Sequence, residues 1–431
     1  MRRIAFRSVS AHSLLGILTA AGFAAGLSPA EAADPQAKAP TTTAASKPAA
    51  ASKLDHPDDR VAPWRKNVTV KLVGPARERH TSHAYYVCNP ESPDGRRVVY
   101  FSSTAANAHI GEVVMLDRTT GEETVLATGV NAEDAHRGAC QQWTLGGKAV
   151  AFHDVQDGRW SVSVVDIDTR KRRIVAEDHQ LGFGRGDDEW LPVYGCHWNP
   201  GPYRDLELVH AATGERRTVV KVSEVETKYA DWVQKEFAGK QISIFFPVMS
   251  PDKKHVFFKI AAGNGGNIYM SKGASHRQGI VAFDMTAQQI TWMREKWGHP
   301  AWHPDSRQII EVGNFLFNSI DGTSIRIPEL PTLNGTHPSV SPDGKIYVTD
   351  GQTTLFGGGM GEWGILVGDL RGKHHVMLHR FQNNRGAKSW RVSHPHPSFS
   401  ADGKRIYFNV SAGNWTQLHV AELGDEAVAG K

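Results

Sequence analysis

The chain has 431 residues, 40% of them hydrophobic, and a formal net charge of +4. That length is long for one ordinary domain and natural for a large repeat architecture. A balance so near neutrality provides no clustered basic surface of the kind nucleic acid requires, so no nucleic-acid partner is expected.

Residues 1–32 read as an export signal. Arg2, Arg3 and Arg7 precede the apolar stretch SLLGILTAAGFAAGLS, and the small residues around Ala30 and Ala32 offer a cleavage site. The apolar run is short and alanine-rich for a membrane span, and no later stretch is apolar enough to cross a membrane. An exported protein, periplasmic or secreted, with no stable membrane insertion after cleavage is expected. Loss of three arginines and one glutamate would take the net charge from +4 to about +2. Residues 33–60 are rich in Ala, Pro, Lys and Thr, with no large apolar residue before Leu54, and read as a disordered tether.

From residue 61 to 431 one unit recurs. It is SPDGRRVVYF from Ser92, TLGGKAVAF from Thr144, NPGPYRDLELV from Asn199, SPDKKHVFF from Ser250, HPDSRQII from His303, SPDGKIYV from Ser341 and SADGKRIYF from Ser400. Each is a tight turn followed by an alternating, β-branched strand. A second hairpin signal follows most of them, as in EVVMLDRTTGEETVLA and SVSVVDIDTRKRRIVA. Four short strands per period over seven periods predict an all-β, seven-bladed β-propeller with four-stranded antiparallel blades. The stretch VSEVETKYADWVQKEFAGK is the one plausible helix, an insertion. FGRGDDEW, around Arg185, reads as a polar loop; GNGGN and FGGGMG read as glycine loops without the strand-then-helix context of a phosphate site.

The three cysteines, Cys88, Cys140 and Cys196, form no CxxC pair and are too sparse for a disulfide scaffold. Cys88 and Cys140 sit four residues before their turns and are expected as buried thiols rather than a channel disulfide. Trp143, Trp190, Trp198, Trp302, Trp363 and Trp390 read mostly as blade packing, with one or two available to stack on a sugar.

The same frame, four residues before the turn, holds His299, His337 and His396 in three successive blades. His394 lies two residues before His396, so on an extended chain both rings point the same way. The proline after each, in HPHP, suits the start of an innermost strand with one unpaired edge. Four imidazoles are therefore expected on one side of the channel, and imidazoles are metal ligands and general bases. His276, His374, His375 and His379 fall outside the frame and read as ordinary surface residues.

RVSHPHPSFSADG, GHPAWHPDS and GTHPSVSPDG resemble, in order and spacing, segments of the oligogalacturonate lyases, seven-bladed propellers of polysaccharide lyase family 22. SHRQGIVAFD resembles the segment carrying that family's active-site arginine. The resemblance covers residues 275–410 at motif level. It implies β-elimination on an acidic oligosaccharide substrate, with His299 as catalytic base and Arg277 beside it. It also implies Mn²⁺, or another divalent metal, on His337, His394 and His396. Where the family has a glutamine ligand this chain has Arg391, and a guanidinium has no lone pair for a metal. Two outcomes stay open: a three-histidine site completed by water and substrate, or no metal, with Arg391 binding the carboxylate directly. His83, Tyr85 and Tyr86 are candidates to bind substrate or protonate the leaving oxygen. The alternative is a non-catalytic periplasmic propeller of the TolB type, an interaction scaffold with the same turns but no reason to line one channel sector with imidazoles. The propeller of a serine oligopeptidase is a third, and lacks its GxSxG hydrolase segment here.

Overall fold

The computed structural model describes residues 59–184, 186–196, 204–264, 271–311 without 271, 313, 315–327 and 337–424. The segment read as an export signal, nearly all of the one read as a tether, Arg185, Trp198 and the start of the unit at Asn199 lie outside them. The described strands form seven antiparallel four-stranded sheets, the seven blades of the expected propeller. From the channel outward, blade 1 runs His80–Ser82, Arg97–Ser103, Ile110–Asp117 and Glu123–Asn131. The innermost strands of blades 2 to 7 are Gln142–Thr144, Gln180–Leu181, Ile242–Met249, Ala301–Trp302, Ser339–Val340 and Ser398–Phe399. Among the described residues no helix is long and apolar enough to cross a membrane.

The turn chemistry is local and repeats. In blade 1 the Ser92 hydroxyl donates to Asp94 Oδ1 at 2.5 Å and accepts from the Arg97 backbone N–H at 2.9 Å. Ser250–Asp252, Ser341–Asp343 and Ser400–Asp402 repeat the first contact. The fourth turn residue is left-handed, which glycine takes without a Cβ penalty: φ is 73° at Gly95, 70° at Gly344 and 70° at Gly403. Lys253 and Ser306 hold the same place at φ 62° and 61°, so these two turns carry backbone strain that the glycine turns avoid.

Two features differ from the sequence reading. The third unit is not the segment at Asn199, which connects Trp190–Tyr194 to Leu206–His210. The equivalent turn is the polar loop after Leu181, leading into Trp190–Tyr194. It lacks the Ser-Pro-Asp pattern, and so escaped the alignment. The predicted helix is two short ones, Val222–Lys228 and Ala230–Phe237, broken at Tyr229 and packed on blade 4 through Val222, Val225, Trp232 and Phe237.

Ring closure is not sequential. Blade 7 takes its outermost strand from the N-terminal side: Val68–Leu72 pairs antiparallel with Gln417–Leu423, from Val68↔Leu423 to Leu72↔His419. A buried charge cluster ties the same seam. Glu91 of blade 1 receives two bonds from the Arg405 guanidinium, at 2.8 and 2.9 Å, and a third from the Tyr407 hydroxyl. A bidentate guanidinium–carboxylate pair fixes direction as well as distance. Elsewhere tryptophans bolt blades together. Trp143 Nε1 donates to the Pro90 carbonyl of blade 1, and Trp302 Nε1 to the Val248 carbonyl of blade 4. Trp143 and Trp302 are thus packing residues, as the sequence suggested.

Candidate metal and active site

Antiparallel blades put the serine–aspartate turns at one end of the channel and the blade-to-blade connectors at the other. His136, His299, His337, His394 and His396 all lie on connectors or at their junction with an inner strand, so they share one end. The frame position has a backbone device in three blades: Cys140, Phe246 and His396 have φ of 53°, 55° and 50°. A left-handed residue kinks the strand start and re-aims its side chain, as bulges do at barrel rims. The kink at His396 is held by its backbone N–H, which donates to Asp350 Oδ2 at 2.9 Å.

The rings converge. His337 and His396 centroids are 4.5 Å apart, His337 and His394 5.4 Å, and His394 and His396 5.9 Å. A fourth imidazole joins them, His136, at 4.4 Å from His396 and 4.6 Å from His394. One nitrogen from each of these four lies within 4.8 Å of the others. His299 stands beside the group, its ring 4.6 Å from that of His337. The sequence frame thus brought together His299, His337, His394 and His396, and missed His136. That residue sits four positions upstream of the frame in EDAHRGAC and is turned inward by left-handed Gly138 and Cys140. The acidic pair preceding it was the available signal.

What brings His136 across is the connector from blade 6 to blade 7, which runs over the connector end of the channel. Its Gly386 N–H bonds the Gly413 carbonyl of blade 7, and Lys388 N–H the Ala106 carbonyl of blade 1. Trp390 Nε1 then reaches the Glu133 carbonyl in the connector from blade 1 to blade 2. Arg391 pairs with Asp134 at 3.6 Å, and the Val392 carbonyl accepts from His136 Nδ1 at 2.7 Å. Asp134 Oδ1 also accepts the His136 and Arg137 backbone N–H groups. Arg391 is therefore ion-paired at the edge of the cluster.

These contacts settle tautomers. His136 Nδ1–H donates to Val392, so Nε2 carries the lone pair. His337 Nδ1–H donates to Asp350 at 2.8 Å, which leaves its Nε2 as the acceptor. A carboxylate or carbonyl behind the imidazole is the usual support of a metal-ligating histidine. His136 Nε2 and both ring nitrogens of His396 are buried without a hydrogen-bond partner among the described residues. A buried polar atom without a partner costs about 1–3 kcal/mol, and a shared cation would satisfy several at once. The donor set therefore fits a divalent metal.

Charge is arranged around this core. Burial, then the Arg391 charge, holds His136 well below the usual imidazole range; burial, then neighbouring imidazoles, does the same to His396. Burial, then His337 and Lys259, depresses His299, which is thus a neutral base at neutral pH. Arg277 lies 5.1 Å over the Trp297 ring, and burial with the Arg391 charge brings its pKa down to about 9. Tyr85 packs 4.4 Å from the His396 ring, its hydroxyl pushed up to about 12 by burial. Tyr86 donates to the Pro300 carbonyl at 3.1 Å. Trp363 packs 4.8 Å from His394. Cys88 and Cys140 are free and buried. A hollow lies at the other, turn end of the channel, around Pro93, Pro251 and Pro342, and its lining residues carry no imidazole or guanidinium.

His83 is fully buried behind the cluster, against the Pro395 and His396 carbonyls, and its backbone N–H donates to Asn409 Oδ1. Burial lowers its pKa from 6.5 to about 4. The unfolded chain therefore takes up a proton that the native state refuses once the pH falls below 6.5. Stability present above that pH is lost progressively down to pH 4, by about 3 kcal/mol from this group. His136, His299 and His396 act with the same sign. Denaturant midpoints measured from pH 7 to 4 should fall steadily, and less steeply in His83→Asn.

No family model and no curated protein matches the sequence. Among solved structures, an oligogalacturonate lyase in complex with manganese superposes with a TM-score of 0.56 at 16% identity, covering 84% of this chain and 98% of the other. The oligogalacturonate lyase of Vibrio parahaemolyticus gives 0.57 at 15% identity, covering 84% and 95%. What is shared is the fold. At such identities a seven-bladed ring is common ground, and the chemistry has to be argued from the side chains.

Proposed function

We propose that the chain is a carbon–oxygen lyase that cleaves uronate-containing oligosaccharides, oligogalacturonate-like chains first among them, by β-elimination. The observation that carries the reading is the convergence of a neutral imidazole, His299, on a four-imidazole cluster with two guanidiniums, Arg277 and Arg391, close by. The resemblance of the same segments to those of the oligogalacturonate lyases supports it. The export signal read in residues 1–32 supports a reaction in the periplasm or outside the cell.

The proton at C5 of a uronate is weakly acidic, and its loss builds negative charge on the adjacent carboxylate. A divalent ion such as Mn²⁺, held by His136, His337, His394 and His396, would neutralise that carboxylate and make the proton easier to remove. His299 takes the proton, its neutral form being secured by burial and by the positive charge around it. Arg277 stabilises the charge that develops. Cleavage of the C4–O bond then leaves an unsaturated sugar end. Tyr86 is committed to Pro300, so Tyr85, which keeps its proton at neutral pH, is the hydroxyl that returns one to the leaving oxygen. His136 also favours a metal over direct binding of the carboxylate by Arg391. A fourth imidazole stands in for the missing glutamine, and Arg391, paired with Asp134, holds the His136 connector in place.

The test is incubation of the purified protein, with and without added Mn²⁺, with uronate oligomers and polymers. Ultraviolet absorbance of the unsaturated product and fragment masses are followed. Product from at least one uronate oligomer is expected. Silence of a metal-loaded, folded protein on every uronate would overturn the lyase and leave the scaffold.

A further inference from the structure

Two buried side chains beside the site also make contacts that the chemistry above does not use. Lys259, on the second strand of blade 4 (His255–Gly263), is 1% exposed. Its Nζ donates to the Gly298 carbonyl at 2.6 Å and lies 3.7 Å from the Trp297 ring centroid and 4.7 Å from that of Phe246. Glu311, at the end of Gln308–Glu311 in blade 5, is 2% exposed. Its Oε1 accepts the backbone N–H of His299 at 2.7 Å, and its Oε2 is 3.3 Å from Arg294 Nη1.

The Gly298 carbonyl and the His299 N–H belong to one peptide group. In a trans peptide they point in opposite directions. The Lys259 amine therefore grips one edge of this plane and the Glu311 carboxylate the other, each from a different blade. Residue 298 has to be glycine for this to happen: a Cβ there would lie 2.1 Å from Glu311 Oε2 and 2.4 Å from Oε1. Both partners are buried and come from neighbouring blades, so the two bonds fix the plane from both edges. The next atom along the chain from this plane is the Cα that carries the imidazole facing His337.

We propose that Lys259 and Glu311 are positioning residues for His299: they fix the 298–299 peptide plane and with it the direction of the imidazole. This rests on the reading of His299 as the base, so its test has an arm that needs no turnover. The imidazole ¹H–¹⁵N resonances of His299, assigned by their loss in His299→Gln, should shift in Lys259→Met, Glu311→Ala and Gly298→Ala, and move back toward wild type in Glu311→Gln, which keeps the acceptor. With substrate, Lys259→Met and Glu311→Ala should lower kcat by ~100-fold, the loss that a misplacement of about 1 Å brings. KM should stay within ~3-fold and metal content should be unchanged, while Glu311→Gln recovers at least ~10-fold over Glu311→Ala, as expected if the bond rather than the charge orients the plane. Unshifted His299 resonances in folded Lys259→Met would overturn the proposal, as would equal losses in Glu311→Gln and Glu311→Ala. If the wild-type protein made no unsaturated product, the lyase reading would fall and the resonances alone would decide this one.

Discussion

Replacing His299 with alanine is expected to lower the rate of unsaturated-product formation by about 10³-fold, within the 10²–10⁴ that a positioned general base contributes. The loss should fall on kcat. The ring faces the His337 imidazole rather than the blade core, so its removal leaves the inner strand Ala301–Trp302 and its Trp302–Val248 bond intact. Metal content and the thermal midpoint should stay close to wild type. The pH profile separates this role from a structural one. Burial and the neighbouring charges hold His299 well below the usual imidazole range, so the wild-type acid limb should lie below pH 6.5. In the alanine variant the residual rate should rise with hydroxide instead. An unchanged kcat in a folded variant would remove the proposed base.

His396→Ala is expected to act differently, by removing the metal. His396 is fully buried, both its ring nitrogens lack a hydrogen-bond partner among the described residues, and it is the nearest neighbour of both His136 and His337 in the cluster. Its loss should reduce bound metal from one per chain to a small fraction, and activity by about 10³-fold, the scale of several kcal/mol of charge stabilisation. Asp350→Asn should be milder. It weakens the support behind His337 and the anchor of His396 without deleting a donor, a change that typically costs 10–100-fold in metal affinity. Chelation should reproduce His396→Ala and be reversed by added ion. It should also lower the thermal midpoint, because a ligand at 100 times its Kd stabilises the native state by about 2.7 kcal/mol. Metal content measured on the purified variants checks all three. Full activity after chelation, with no metal found, would return the carboxylate to Arg277 and Arg391 alone.

The reach of the sequence can be judged from particular residues. His299, His337 and His396 were found because each is counted from a turn whose chemistry is its own: a serine hydroxyl or, after His299, the His303 imidazole, then an aspartate and a left-handed residue within five positions. The same counting misplaced blade 3, whose segment after Leu181 holds the same place in the blade without the same residues. The tryptophans were legible as mostly packing, but only the structure shows that Trp143 and Trp302, each one residue before its turn, bond the neighbouring blade. Arg391 was legible as a departure from the lyase pattern but not in its consequence. Its partner Asp134 is on another blade's connector, and nothing near either residue in the chain announces the other.

The sequence by itself determined the all-β class, the seven four-stranded units and the register that sets three imidazoles at one end of the channel. Hydrogen bonds within a turn and alternation along a strand are local, and a period repeats them. The tertiary structure decided that Val68–Leu72 completes the last blade, that His136 becomes the fourth imidazole, and that Lys259 and Glu311 meet across one peptide plane. Each of these depends on where a connector travels. A connector's direction is set by distant hydrogen-bond partners, such as Ala106, Glu133 and Gly413 for the one above the channel, which exist only once the ring has closed.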